Sequence, residues 1–196
     1  SSSSVYGQSH VLPQHESLPL APISPYAASK ATGELYCRAF YEAYGLETVP
    51  LRYYNIFGPW QDPQSQYAAA IPLFILAIMN DQSPQIFGDG QQSRGFTYID
   101  NATNANWQAA HCEVANGEPI NISTATAISV NKVVEIIKHK FDKTELVNNY
   151  VAKRSGDIKY SLADITRARE RLGYNPAIDF ETGIQKTITW YKQNLL

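Results

Sequence analysis

Tyr26 and Lys30 stand four residues apart, a spacing that sets a phenol and an ammonium on the same face of a helix. A free phenol titrates near 10 and is a poor base at neutral pH. A cation one turn away favours the phenolate and can turn such a tyrosine into a proton acceptor. Two other strings could serve that chemistry. Ser2-Ser3-Ser4-Val5-Tyr6-Gly7 reads as a hydroxyl-rich strand ending at a glycine, and Arg52-Tyr53-Tyr54-Asn55 ends another apolar run. Ligands of open α/β sheets bind outside the carboxyl ends of strands, so the three strings can meet one ligand there. Each string alone also fits a solvated surface.

The elements that must position these groups follow from local signals. Ser24 reads as an N-cap with Pro25 at the first helical position, and the helix runs to about Tyr44 with Gly45 as its stop. ETVPLRYYNIFG is a strand entering a loop at Gly58-Pro59, and the apolar run around 68–80 is a buried helix, too short to span a membrane and holding Pro72. QIFGDGQQSRGFTYI reads as two short strands joined by a Gly88-Asp89-Gly90 hairpin turn. Asp100 opens a helix over about 101–115, PINIST is a strand, and Ser129 caps a helix over 130–141 whose apolar positions keep helical spacing. ADITRARERLG is a capped, charged surface helix stopped by Gly173, and a last helix spans about Phe180–Asn194. Alternating strands and helices make the class α/β. Trp107 and Trp190 are core candidates, Trp60 lies in a Pro-flanked loop, and Cys37 and Cys112 read as buried helical thiols.

Composition narrows the field. With 44% hydrophobic and 17% charged residues, the 196-residue chain is neither disordered nor of low complexity. Sixteen Lys and Arg against 18 Asp and Glu leave a net charge of −2, so no basic field draws nucleic acid or an anionic membrane. An anionic ligand must then be held by a few arginines. Two widely separated cysteines fit a reducing compartment, and His10, His15, His111 and His139 lack metal-ligand spacing, so no metal is expected.

In order and spacing, SSSSVYG, SPYAASK, LRYYNIFGP, QDPQSQYAAAIP, IFGDGQQSRGFTYID, RSGDIKYSLADI and RLGYNP resemble the C-terminal part of the extended short-chain dehydrogenase/reductases, and among them nucleotide-sugar 4-epimerases of the UDP-N-acetylglucosamine kind. The resemblance implies the later part of a Rossmann-like doubly wound parallel sheet, interleaved with a small α/β substrate-binding lobe. Residues 1–58 would complete the dinucleotide domain. Residues 59–196 would form mainly the lobe, with returning Rossmann strands. It assigns Ser2 as a hydroxyl anchor, Tyr26 as base, Lys30 as its partner and a ligand of the nicotinamide ribose, and Tyr54 as an aromatic beside the nicotinamide. Ser4, Asn55, Ala69, Phe87, Arg94, Asn121, Arg154, Asp157 and Ser161 are assigned to the UDP-sugar, the arginines to its diphosphate. Ser161 is small at a position beside the sugar's C2 substituent, which implies tolerance of N-acetyl groups. Gly95 stands where the family commonly has Asp, and Asn121-Ile122-Ser123-Thr124 replaces a glycine-rich strand end.

The implied reaction removes the proton of the C4 hydroxyl while C4 passes hydride to NAD; the 4-keto sugar then turns and hydride returns to its other face. Ser3 and Ser4 occupy the places where 4,6-dehydratases carry Asp-Glu, which disfavours dehydration; a UDP-glucuronate epimerase or decarboxylase stays open. So does a non-catalytic module that binds a nucleotide sugar, because no glycine-rich dinucleotide turn occurs in these 196 residues. That turn is expected upstream of Ser1, and the isolated piece is expected to be inactive. A homodimer packed through the Tyr26 helix and a cytoplasmic location complete the expectations.

Overall fold

The computed structural model describes residues 1–63, 69–153 and 158–194. It opens with a 3₁₀ turn over Ser3–Tyr6 rather than the expected strand: Ser2 Oγ accepts the Ser4 N–H and caps that turn, and only Ser2 itself adds to a sheet edge, bridging Tyr53 in parallel. Helix α1 (Pro25–Tyr44) has the expected ends. Ser24 Oγ accepts the Ala27 N–H at 3.1 Å, and Gly45 closes the helix at φ 66°, a conformation open to glycine.

Strand β1 (Leu51–Tyr53) leads through Tyr54 and Asn55 into β2 (Ile56–Phe57), followed by α2 (Ala70–Met79), β3 (Gln85–Phe87), β4 (Ser93–Arg94) and β5 (Thr97–Tyr98). Then come α3 (Ile99–Ala109), β6 (Ile120–Ile122), β7 (Ile128–Ser129), α4 (Val130–Lys140), β8 (Asn149–Val151), β9 (Tyr160–Ser161), α5 (Thr166–Leu172) and α6 (Phe180–Asn194). Pairing is parallel between β1 and β6, β2 and β5, β3 and β8, and β4 and β9; β4 with β7 is antiparallel. The Gly88-Asp89-Gly90 hairpin does not form. Its two arms pair with different strands distant in sequence, β3 with β8 and β4 with β7 and β9.

Among the described residues, two hydrophobic cores result. One gathers Val5, Tyr6, Ala31, Leu51, Tyr54, Ile120, Ile122, Ile165, Ala168 and Tyr174. The other gathers Phe57, α2, Ile86, Phe96, Tyr98, the apolar face of α4, and Phe180, Ile184, Ile188 and Tyr191 of α6. The chain passes from the first to the second between Tyr54 and Phe57. Gly183 lets α6 approach the second core closely: a Cβ there would lie 2.9 Å from both Phe57 Cζ and Tyr98 Cδ2.

Smaller corrections concern exposure. Trp107 is not a core residue; it is exposed and stacks on His111 one turn along, while Trp190 packs at the edge of the second core with Trp60 against it. Helix α3 stops at Ala109, so Cys112 lies beyond it, and both cysteines are half-buried. Helix α5 keeps its charged outer face but buries Ala168 and Leu172. No helix among the described residues is long and apolar enough to cross a membrane.

Candidate active site

Tyr26 sits in the first turn of α1 and 56% of it is exposed, so its hydroxyl is open to a ligand. Lys30 is half-buried beneath it, with Nζ 5.4 Å from the ring centroid. The four-residue spacing thus becomes physical proximity of ammonium and phenol. The N-terminal turn of α1 adds the positive end of a helix of 20 residues. The 3₁₀ turn that carries the serines packs against α1. Ser2 Oγ accepts the Ser4 N–H at 3.2 Å; that bond uses an oxygen lone pair and leaves the hydroxyl hydrogen to be donated. Ser4 Oγ is buried with no partner among the described residues, an orphaned hydroxyl beside the same cluster.

Tyr54 does not offer its ring to a ligand. It is wholly buried; its hydroxyl donates to Gln14 Oε1 at 3.1 Å, its ring centroid lies 6.5 Å from that of Tyr6, and burial holds its phenol far above the usual range. The aromatic expected beside a nicotinamide is therefore a core residue in this chain. Asn121 is corrected for a similar reason. Its amide is fully buried, with Nδ2 donating to the carbonyls of Gln14 and Asp164 and Oδ1 accepting from Tyr6. The polar groups of that side chain are engaged by protein, and a substrate contact has no room.

A second group of expected residues meets around a cavity of about 620 Å³ lined by Asn55, Ala69, Phe87 and Arg94, with apolar walls from α2, Phe57 and Phe96. Asn55 takes φ 37°, which its short amide tolerates, and donates to the Gly95 carbonyl at 3.1 Å. Arg94 is half-buried and braced by the carbonyls of Ser93 and Lys159 at 2.8 and 3.2 Å. Ser161 pairs in register with Arg94 and is buried, beside the cavity-lining strand rather than on the cavity wall. Gly95 donates to the Ser161 carbonyl, and a Cβ on it would lie 2.8 Å from the buried Ser123 Oγ, which has no partner among the described residues. Glycine is what lets these strand ends touch. Arg154 and Asp157 lie outside the described residues.

Sequence reasoning missed the polar cluster beneath Tyr26 and Lys30. Glu34 and Arg52 form a buried forked ion pair, and Arg52 Nη1 also donates to the Tyr6 hydroxyl at 2.8 Å. Burial raises the Tyr6 phenol above its ordinary value despite that guanidinium. The signal was present: Tyr26, Lys30 and Glu34 follow at successive four-residue steps, and Arg52 sits inside an apolar strand.

Comparison with known proteins gives the family and the fold. The family model described as GDP-mannose 4,6 dehydratase matches residues 1–187. A structure of UDP-N-acetylglucosamine 4-epimerase from Methanobrevibacter ruminantium, in complex with UDP-N-acetylmuramic acid, superposes with a TM-score of 0.94 at 43% identity, covering 98% of this chain and 61% of its own. A structure of UDP-glucuronic acid 4-epimerase from Bacillus cereus, in complex with UDP-glucuronic acid and NAD, gives a TM-score of 0.89 at 31% identity, covering 98% and 60%. The UDP-glucuronate 4-epimerase of Thermodesulfobacterium geofontis is 36% identical over 198 residues, 100% of this chain and 58% of that protein. The chain thus spans about three fifths of the length of these relatives.

Proposed function

The chain belongs to the GDP-mannose 4,6-dehydratase family of extended short-chain dehydrogenase/reductases, and from that premise we propose that it is the catalytic and sugar-binding part of an NAD-dependent nucleotide-sugar 4-epimerase. Its substrate is a UDP-hexose, UDP-N-acetylglucosamine or UDP-N-acetylgalactosamine. The observation that carries the reading is the Tyr26–Lys30 pair, open at the start of α1 with the amine 5.4 Å from the ring, beside the Ser2 and Ser4 hydroxyls.

The residues present fit one end of the dinucleotide. Tyr26 and Lys30 would hold the nicotinamide ribose, and the orphaned Ser4 hydroxyl offers a further hydrogen bond; a pyrophosphate cradle is not among these 196 residues. NAD, when bound, supplies reversible hydride transfer at the sugar carbon. The chain's own work is proton handling and orientation. Tyr26, acting as the phenolate that the Lys30 ammonium stabilises, takes the proton of the C4 hydroxyl and becomes a neutral phenol, and Ser2 donates to the same sugar oxygen. Arg94 offers a planar fork to the diphosphate, while Phe87 and Ala69 line the apolar wall of the cavity, with Asn55 at its polar corner.

The small side chain of Ser161, in register with the cavity-lining Arg94, supports tolerance of an N-acetyl group, and hydroxyls in place of an acid–base pair at Ser3 and Ser4 support epimerisation over dehydration. In this reading residues 1–58 belong to the dinucleotide domain and 59–196 mainly to the substrate lobe, two copies pair through the outer face of α1, and the unpaired Cys37 and Cys112 suit the cytoplasm. The test is Y26F in the full-length enzyme: bound NAD is retained while interconversion of the two UDP-sugars falls by at least about a hundredfold. A near-normal rate refutes the assignment.

A further inference from the structure

Glu34 lies two helical turns beyond Tyr26 on the same face of α1. Its carboxylate receives Arg52 Nε at 2.8 Å and Nη2 at 2.7 Å, and accepts a third bond from Ser1 Oγ. The two side chains are only 3% (Arg52) and 6% (Glu34) exposed, so their desolvation offsets most of their attraction. Arg52 belongs to β1, where the following residue, Tyr53, bridges Ser2. Its remaining nitrogen, Nη1, donates to the Tyr6 hydroxyl at 2.8 Å and the Glu16 carbonyl at 3.4 Å. A single carboxylate therefore ties together α1, β1 and the Ser1–Ser2 segment. Those three pieces carry the phenol and amine, the strand beneath them, and the hydroxyl that steers the sugar.

We propose that Glu34 is a positioning residue: through Arg52 and Ser1 it sets the spacing between the Ser2 hydroxyl and the Tyr26–Lys30 pair, and so the alignment of a sugar hydroxyl with its base. This rests on the epimerase reading above. A buried ion pair that adds little to stability still fixes direction, because a guanidinium fork admits one arrangement of its carboxylate. Misplacing a reacting hydroxyl by about 1 Å can cost about a hundredfold in rate, which is the size of effect such a brace can control.

The test uses the full-length enzyme in three forms, E34Q, E34M/R52M and Y26F. E34M/R52M removes both charges together, so no ion is left buried alone. It is expected to melt within about 3 °C of the parent yet to lose at least about tenfold in kcat, with KM for the UDP-sugar changed less than about twofold. E34Q keeps the shape and one acceptor and is expected to fall between parent and double variant in kcat. A folded double variant with parental kcat overturns the proposal. One that raises KM and spares kcat overturns it as well. One that fails to fold also does so, since the pair would then hold the fold rather than the geometry. An active Y26F removes the base assignment instead, so failure of the brace and failure of the epimerase reading give different results.

Discussion

Replacing Asn121 with alanine separates a core bracket from a ligand contact. Its amide donates to the Gln14 carbonyl at 2.9 Å and the Asp164 carbonyl at 3.1 Å, and accepts the Tyr6 hydroxyl at 2.7 Å, in full burial. The Gln14 carbonyl keeps a second donor, the Asp164 N–H at 2.8 Å, and the Tyr6 oxygen keeps Arg52. Two groups lose a partner: the Asp164 carbonyl and the Tyr6 hydroxyl hydrogen. At about 1–3 kcal/mol for each unsatisfied buried group, with a small cavity added, the loss is about 3–5 kcal/mol. At about 2–4 °C per kcal/mol for a unit of this size, Tm falls by roughly 6–20 °C. Thermal melts of parent and N121A full-length enzyme, followed by steady-state kinetics well below the lower melt, measure both quantities. KM for the UDP-sugar stays within about twofold. An unchanged melt with a tenfold rise in KM would refute the reasoning and return Asn121 to the ligand.

Further outcomes are expected elsewhere. G183A places a methyl 2.9 Å from Phe57 and Tyr98; overpacking of about 1–3 kcal/mol outweighs a helix-propensity gain of about 1 kcal/mol, so chemical denaturation shows a net loss, and a gain in stability counts against the packing described. Asp164 accepts the Thr166 N–H at 2.8 Å, and that hydrogen bonding, side-chain and backbone, holds its carboxyl below the usual Asp range. A depressed carboxyl stabilises the fold above its unfolded titration range, near pH 4, and that contribution fades as pH falls through its folded value. Urea midpoints of D164N and parent should therefore differ at pH 7 and draw together only as pH falls below the usual Asp range; equal midpoints at pH 7 would deny the carboxylate a role. S161Y in the full-length enzyme is expected to reduce turnover of the N-acetylated sugar at least about tenfold more than that of its C2-hydroxyl counterpart, read from paired kcat/KM values; equal losses contradict the role given to Ser161.

What could be read from the chain beforehand was local. Ser24-Pro25 and Gly45 delimit α1, Ser129 starts α4 and Gly173 ends α5, because caps and left-handed stops act over a single turn. Asn55, Ala69, Phe87 and Arg94 do share one cavity, an association carried by the order of motifs rather than by any one of them. Strand partners were not legible in the glycine-rich 88–90 stretch, since pairing depends on neighbours far along the chain. The fates of Tyr54 and Asn121 were hidden for another reason: a polar side chain at a strand end can face ligand or core, and only the packed neighbours Gln14, Tyr6 and Asp164 decide. Glu34 and Arg52 escaped notice because opposite charges on separate elements declare nothing until those elements meet.

The passage of the backbone from one core to the other, within the few residues from Tyr54 to Phe57, has an evolutionary reading. In the epimerase reading proposed above, the phenol and amine ride on α1 against the first core, while the walls of the cavity grow from the second. Mutations that reshape those walls can drift through many side chains without disturbing the phenol, its amine or their supports. Under that same reading, a lineage built on this plan would be free to change its sugar while keeping its proton-handling groups.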